Sequence, residues 1–198
     1  MGAPPPAPAS APASLPLRII HRGWNTFGIA TLTQPDGSTV PRALEDHGEA
    51  AVVLPYDPER RVALLVRQAR VGPAFWGEPA ELDEAPAGGL DGDAPEATAL
   101  REALEEAGLH LTRLERVAHA YSMPSISSER LWLYLAPYAA ADRAAAGGGL
   151  HHEGEQVEAF EVPLADLAAA ARDGTLRDLK TLVLVQALML RRPALFAP

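Results

Sequence analysis

Cysteine is missing from all 198 residues, so this chain has neither a disulfide framework nor a thiolate metal site. Its absence is compatible with the expected cytoplasmic location. Basic side chains are outnumbered: 17 Lys and Arg stand against 26 Asp and Glu, a formal net charge of -9. Nucleic-acid binding is driven largely by cations that replace counterions, so this balance disfavours a nucleic-acid partner. A small phosphorylated substrate remains open, because a bound cation can offset its charge. No uninterrupted apolar run approaches the ~18 residues of a membrane span, and the longest candidate, 181–190, is interrupted by Gln186. The amino terminus has no basic stretch ahead of an apolar one, so no signal peptide and no membrane association are expected. Zinc-type histidine spacing is also lacking: His151 and His152 are adjacent, while His47 and His119 stand apart.

What the chain does contain is enough apolar material, 47%, for an ordinary core. Residues 1–16 are Ala, Pro, Ser, Gly and Leu after the initiator, with six prolines, which predicts an extended, disordered tail. Residues 17–48 read as a small antiparallel sheet with a turn at Pro35-Asp36-Gly37-Ser38. From 49 to 198 a single larger domain is expected. Its strands fall near 50–56, 62–68, 114–121, 131–138 and 157–162, with helices near 94–107, 163–172 and 179–191. Strands and helices mix without βαβ alternation, so the fold class is α+β rather than a doubly wound sheet.

The helix near 94–107 carries the chemistry. Asp93 is placed to cap it, Glu96 follows three residues later, and Gly108 suits its carboxyl end. Helical spacing assigns Ala97, Leu100, Leu104 and Ala107 to the core and Glu102, Glu105 and Glu106 to the opposite side. Three carboxylates so close repel, and two of them lie where the helix dipole disfavours negative charge. Arg101 can pair with Glu105 but leaves the others unmatched. A divalent cation reverses these penalties, and Mg²⁺ suits oxygen ligands shared with substrate phosphates. An acidic helix face is usually just solvated. The glycine-rich turn before it, Ala87-Gly88-Gly89-Leu90-Asp91-Gly92, makes this one specific by letting backbone approach a ligand closely.

Gly88, Asp93 and the run Arg101-Glu102-Ala103-Leu104-Glu105-Glu106-Ala107-Gly108-Leu109 resemble the Nudix box, G-x5-E-x7-R-E-U-x-E-E-x-G-U. The half from Arg101 onward matches at every fixed position; Asp93 stands in place of Glu, and the loop is one residue short. Further stretches are similar to the subgroup of GDP-mannose and ADP-ribose pyrophosphatases. They are Val66-Arg67-Gln68-Ala69-Arg70, Glu84-Ala85-Pro86-Ala87-Gly88, Gly147–Gly149 with Glu153-Gly154-Glu155, and Arg177-Asp178-Leu179-Lys180-Thr181. The resemblance covers about residues 17–192. It implies a Nudix fold, mixed sheets sandwiched by helices in three layers, with the amino-terminal sheet exchanged in a homodimer.

It also implies hydrolysis of the pyrophosphate of a nucleotide sugar, GDP-mannose or, as the alternative, ADP-ribose. A Nudix-fold binding module that has lost catalysis is a third reading, disfavoured by the presence of all three helical carboxylates. By resemblance Glu102, Glu106 and the Ala87 carbonyl hold Mg²⁺, with Mn²⁺ as a possible substitute. Glu105 joins directly or through water, Glu155 is a further ligand, and Glu153 or Glu155 acts as base. Arg70, Gly88, Gly89, Glu129 and Lys180 face the substrate. Glu129 follows a segment, Met123-Pro124-Ser125, that departs from the family's S-P-G. Trp24 and Arg42 are candidates for stacking on the base and for reaching a phosphate or ribose across the dimer. Arg67 is expected to form a structural ion pair with Glu84.

Overall fold

The computed structural model describes residues 15–149 and 157–197. The expected tail therefore lies, but for Leu15 and Pro16, outside the described residues, as do His151, His152, Glu153 and Glu155. Three strands, β1 (Leu17–Arg22), β2 (Thr26–Thr33) and β3 (Thr39–Asp46), form an antiparallel sheet of their own. The turn at 35–38 joins β2 to β3, with Gly37 at a φ of 83° and Asp36 accepting the Ser38 N–H.

A second, mixed sheet has β4 (Ala50–Asp57) at its centre, buried along its whole length. On one side β4 pairs in parallel with β9 (Arg130–Pro137), which pairs with β8 (Glu115–Tyr121). On the other side β5 (Val62–Ala69) stays with β4 only at Tyr56 and Asp57 and then diverges. Into the wedge run two short strands. β6 (Glu81–Glu84) pairs with β5, and β7 (Ala87–Gly89) pairs with β4. β10 (Glu158–Pro163) closes the far edge of β5. The wedge sets the candidate site, because the chain must cross from one diverging strand to the other at Ala85 and Pro86.

Alternation along β4 sends Val52, Leu54 and Tyr56 to one face and Ala51 and Val53 to the other. The first face is covered by α3 (Leu164–Asp173) and α4 (Leu179–Arg191), through Leu167, Leu184 and Leu188. The second is covered by α2 (Pro95–Glu105). The sandwich is thus helix, sheet, helix, as expected. A single turn, α1 (Val71–Phe75), follows β5 and buries nothing. Among the described residues no helix is long and apolar enough to cross a membrane.

The start and the facing of α2 differ from expectation. Ala94 takes the cap position without a side-chain hydrogen bond, and Pro95, whose missing N–H costs nothing there, opens the helix. Asp93 instead uses its backbone N–H on the Leu90 carbonyl in the preceding turn. The buried stripe runs through Ala99, Ala103 and Ala107, whereas Ala97 and Leu104 are exposed. Alanine lets the helix backbone lie close against β4, and that rotation carries Glu102 and Glu106 inward.

Candidate active site

Glu102 is 8% exposed and Glu106 only 2%. Both carboxylates point at β7. Glu106 Oε2 accepts the Ala87 N–H at 3.0 Å, and Gly88 passes so close to Glu102 that a Cβ there would lie 2.0 Å from Oε1. The loop that is one residue short in sequence therefore still lays its glycine on the helix. Pro86 O and Leu90 N bond toward β4, so Ala87 and Gly89 turn their polar groups the other way. The Ala87 carbonyl accordingly faces the side on which its N–H meets Glu106, and the Gly89 carbonyl accepts Arg101 Nη2 at 3.2 Å. Arg101 also pairs with Glu102 at 2.8 Å and with Glu105 at 3.0 Å. The pair with Glu105 is the expected one; the pair with Glu102 is additional.

A donor set of two nearly buried carboxylates beside an outward-turned carbonyl is all oxygen, which fits a hard cation such as Mg²⁺. Among the described residues no three acidic or histidine side chains converge closely enough to hold a metal ion by themselves. Gly148 and Gly149 donate to the carbonyls of Glu106 and Glu105 at 3.0 and 3.1 Å, capping α2. The left-handed backbone of Gly147 to Gly149 makes that cap possible. Gly149, the last described residue before 157, is thereby held at the end of α2.

Beside the carboxylates, Glu84 is 1% exposed and takes Arg70 as a bidentate partner at 2.7 and 2.9 Å. Lys180 Nζ donates to the same carboxylate and, at 2.9 Å, to Asp178. Burial opposes the charge of Glu84, yet Arg70 and Lys180 together hold its carboxyl below the ordinary range. Arg70 also feels the charge of Glu106. The structure therefore brings Arg70 and Lys180 together on one buried anion. Arg67, expected on Glu84, pairs instead with Asp83 at 2.7 Å, because β5 and β6 set those two residues directly opposite each other.

Glu129 lies half-buried. Burial pushes its carboxyl up, but hydrogen bonds from His47 and Ser122 outweigh this and hold it low. Its partner His47 bridges Glu129 at 3.0 Å and Glu45 at 2.7 Å. Trp24, 84% exposed, stacks on the His47 ring at 4.9 Å. Arg42 stands apart from these groups: it lies exposed on β3, with Nη1 on the Pro41 carbonyl. Two residues of the site had no expectation attached to them, His47 and Thr181. Thr181 is fully buried and accepts the Ala85 N–H at 2.6 Å. Its position three residues after Asp178, a cap residue by type, is the signal that placed it at the start of α4.

The model of the NUDIX domain matches residues 46–182. A GDP-mannose pyrophosphatase of Cronobacter sakazakii is 40% identical over 163 residues, covering 81% of this chain and 84% of its own. One from Citrobacter koseri is 36% identical over 159 residues, covering 78% and 81%. Among solved structures, an ADP compounds hydrolase superposes with a TM-score of 0.70 over 91% of this chain and 93% of its own. Its sequence identity is 18%, so that likeness speaks for the fold.

Proposed function

The chain belongs to the NUDIX domain family, and on that premise we propose that it hydrolyses the pyrophosphate bond of a nucleoside diphosphate sugar, GDP-mannose first among them. The observation that carries this reading is the nearly buried pair Glu102 and Glu106, facing the Ala87 to Gly89 segment. Arg101 already pairs with Glu102, and a divalent cation beside both carboxylates would further relieve the repulsion of like charges at low exposure. Glu102, Glu106 and the Ala87 carbonyl would hold Mg²⁺ or Mn²⁺, with Glu155 as a further ligand. When bound, the ion polarises the phosphoryl oxygens and activates the attacking water.

The side chains do the rest. Arg70 and Lys180, already gathered on Glu84, bind the pyrophosphate oxygens, Arg70 with N–H groups other than the two it gives to Glu84. Backbone at Gly88 and Gly89 lets the substrate approach. Water adds to one phosphorus as the anhydride P–O bond breaks, and a carboxylate takes the proton. Glu153 or Glu155 is that carboxylate, with Glu105, held outside by Arg101, in a supporting position. Glu129 faces the sugar. Trp24 and Arg42 serve the base and ribose from the amino-terminal sheet of a partner subunit. That sheet exposes Ile19, Ile20, Trp24 and Leu32, which supports a homodimer.

The test is direct. The protein is incubated with Mg²⁺ and GDP-mannose, ADP-ribose or ADP-glucose, and the products are separated. GMP and mannose 1-phosphate are expected from the first, and Glu106→Gln should lower the rate by about two to three orders of magnitude. A rate unchanged in that variant would refute the proposal. AMP and ribose 5-phosphate as the preferred products would move the substrate to ADP-ribose.

A further inference from the structure

Crossing between diverging strands leaves one amide in need of a partner. β6 ends its pairing with β5 at Glu84, and β7 begins its pairing with β4 at Ala87. Pro86 in between has no N–H, and its carbonyl is taken by Val53. Ala85, buried at the crossing, does have an N–H, and Thr181 Oγ1 accepts it at 2.6 Å. The Thr181 hydroxyl in turn donates to Asp178 at 2.6 Å, so its proton is committed and its lone pair faces Ala85. Asp178 caps α4 and also holds Lys180. Two residues beyond Ala85, the Ala87 N–H sits on Glu106 and its carbonyl turns to the same side.

We propose that Thr181 is a positioning residue for the cation site: through the Ala85 amide it fixes where the Ala87 carbonyl stands relative to Glu102 and Glu106. This rests on the reading of those three groups as the cation site. A buried amide stripped of its acceptor is relieved only if the chain shifts, and a shift at Ala85 is passed to Ala87 across the rigid Pro86. Mg²⁺ demands near-ideal octahedral geometry, so a displaced carbonyl ligand weakens binding. Helix α4 itself does not depend on the hydroxyl, because Asp178 also accepts the Thr181 backbone N–H at 3.0 Å.

The experiment uses the full chain without substrate. Wild type, Thr181→Val, Thr181→Ser and Glu106→Gln are titrated with Mn²⁺, the free ion is followed by electron paramagnetic resonance, and melting is recorded in parallel without metal. Thr181→Val should bind Mn²⁺ about tenfold more weakly while still melting cooperatively, and Thr181→Ser should stay within about twofold of wild type, as expected for an outer partner of a ligand. Thr181→Ala carries the same expectation should the valine variant not fold. Equal Mn²⁺ affinity in the variants lacking the hydroxyl, or a serine variant as weak as they are, would overturn the inference alone. Wild type that takes up no Mn²⁺, or takes it up equally after Glu106→Gln, would overturn the reading of the site and this inference with it.

Discussion

Two carboxylates, Glu45 and Glu129, meet on the one imidazole of His47, and the ring lies under Trp24. Hydrogen bonding to Glu129 is the main reason its pKa rises from 6.5 to about 9; burial opposes the rise and Glu45 adds to it. A group whose folded pKa is raised stabilises the fold while it is protonated. The contribution of His47 is therefore full below the unfolded value of 6.5, declines above it, and is lost as pH passes about 9. Urea unfolding of wild type and His47→Gln across this window should show a stability difference that shrinks with rising pH. A difference constant from end to end would contradict that account. The ring ties β3 to the loop before β9, so the same pH rise should loosen the amino-terminal sheet from the main body. Nothing in the order of residues announced this. His47 is far in sequence from Glu129, and only the fold makes them neighbours.

Helix α2 shows what is legible at the level of elements and what is not. Its carboxyl end was readable, because Gly108 adopts the left-handed conformation and its N–H returns to the Leu104 carbonyl. Its beginning was not: Asp93 and Pro95 compete for the opening turn, and proline's fixed φ leaves the cap to Ala94. The cap is therefore unfilled, although its extended backbone, φ -69° and ψ 142°, suits a serine. Ala94→Ser should add about 1 kcal/mol of stability, or about 2–4 °C in Tm for a chain of this size. A Tm at or below that of wild type would show that some other group already satisfies those amides. The facing of α2 escaped the pattern because alanine marks both its buried and its exposed positions. The strands were plainer: the turn at Asp57 to Arg60 divides β4 from β5, and Asp57 accepts the Glu59 and Arg60 N–H groups there. Which arginine meets which acid was decided by cross-strand register, a non-local quantity. Hence Arg67 and Arg70 hold partners that spacing alone could not assign.

Taken whole, the molecule consists of a closed sandwich and a three-stranded sheet with few buried residues, Gly28 and Ala30 among them. So small a sheet is marginal unless something covers its apolar face. Light scattering of the intact protein should return twice the monomer mass of 21.0 kDa, and a monomer at micromolar concentration would exclude the exchanged dimer. Lys180, drawn onto Glu84 and Asp178, is the sole lysine of the sequence. Every other basic side chain besides histidine is an arginine, so among these side chains amine-directed acylation meets only this ammonium. Acylation of that ammonium would strip Glu84 of one of its two cationic partners and leave the buried carboxylate to Arg70.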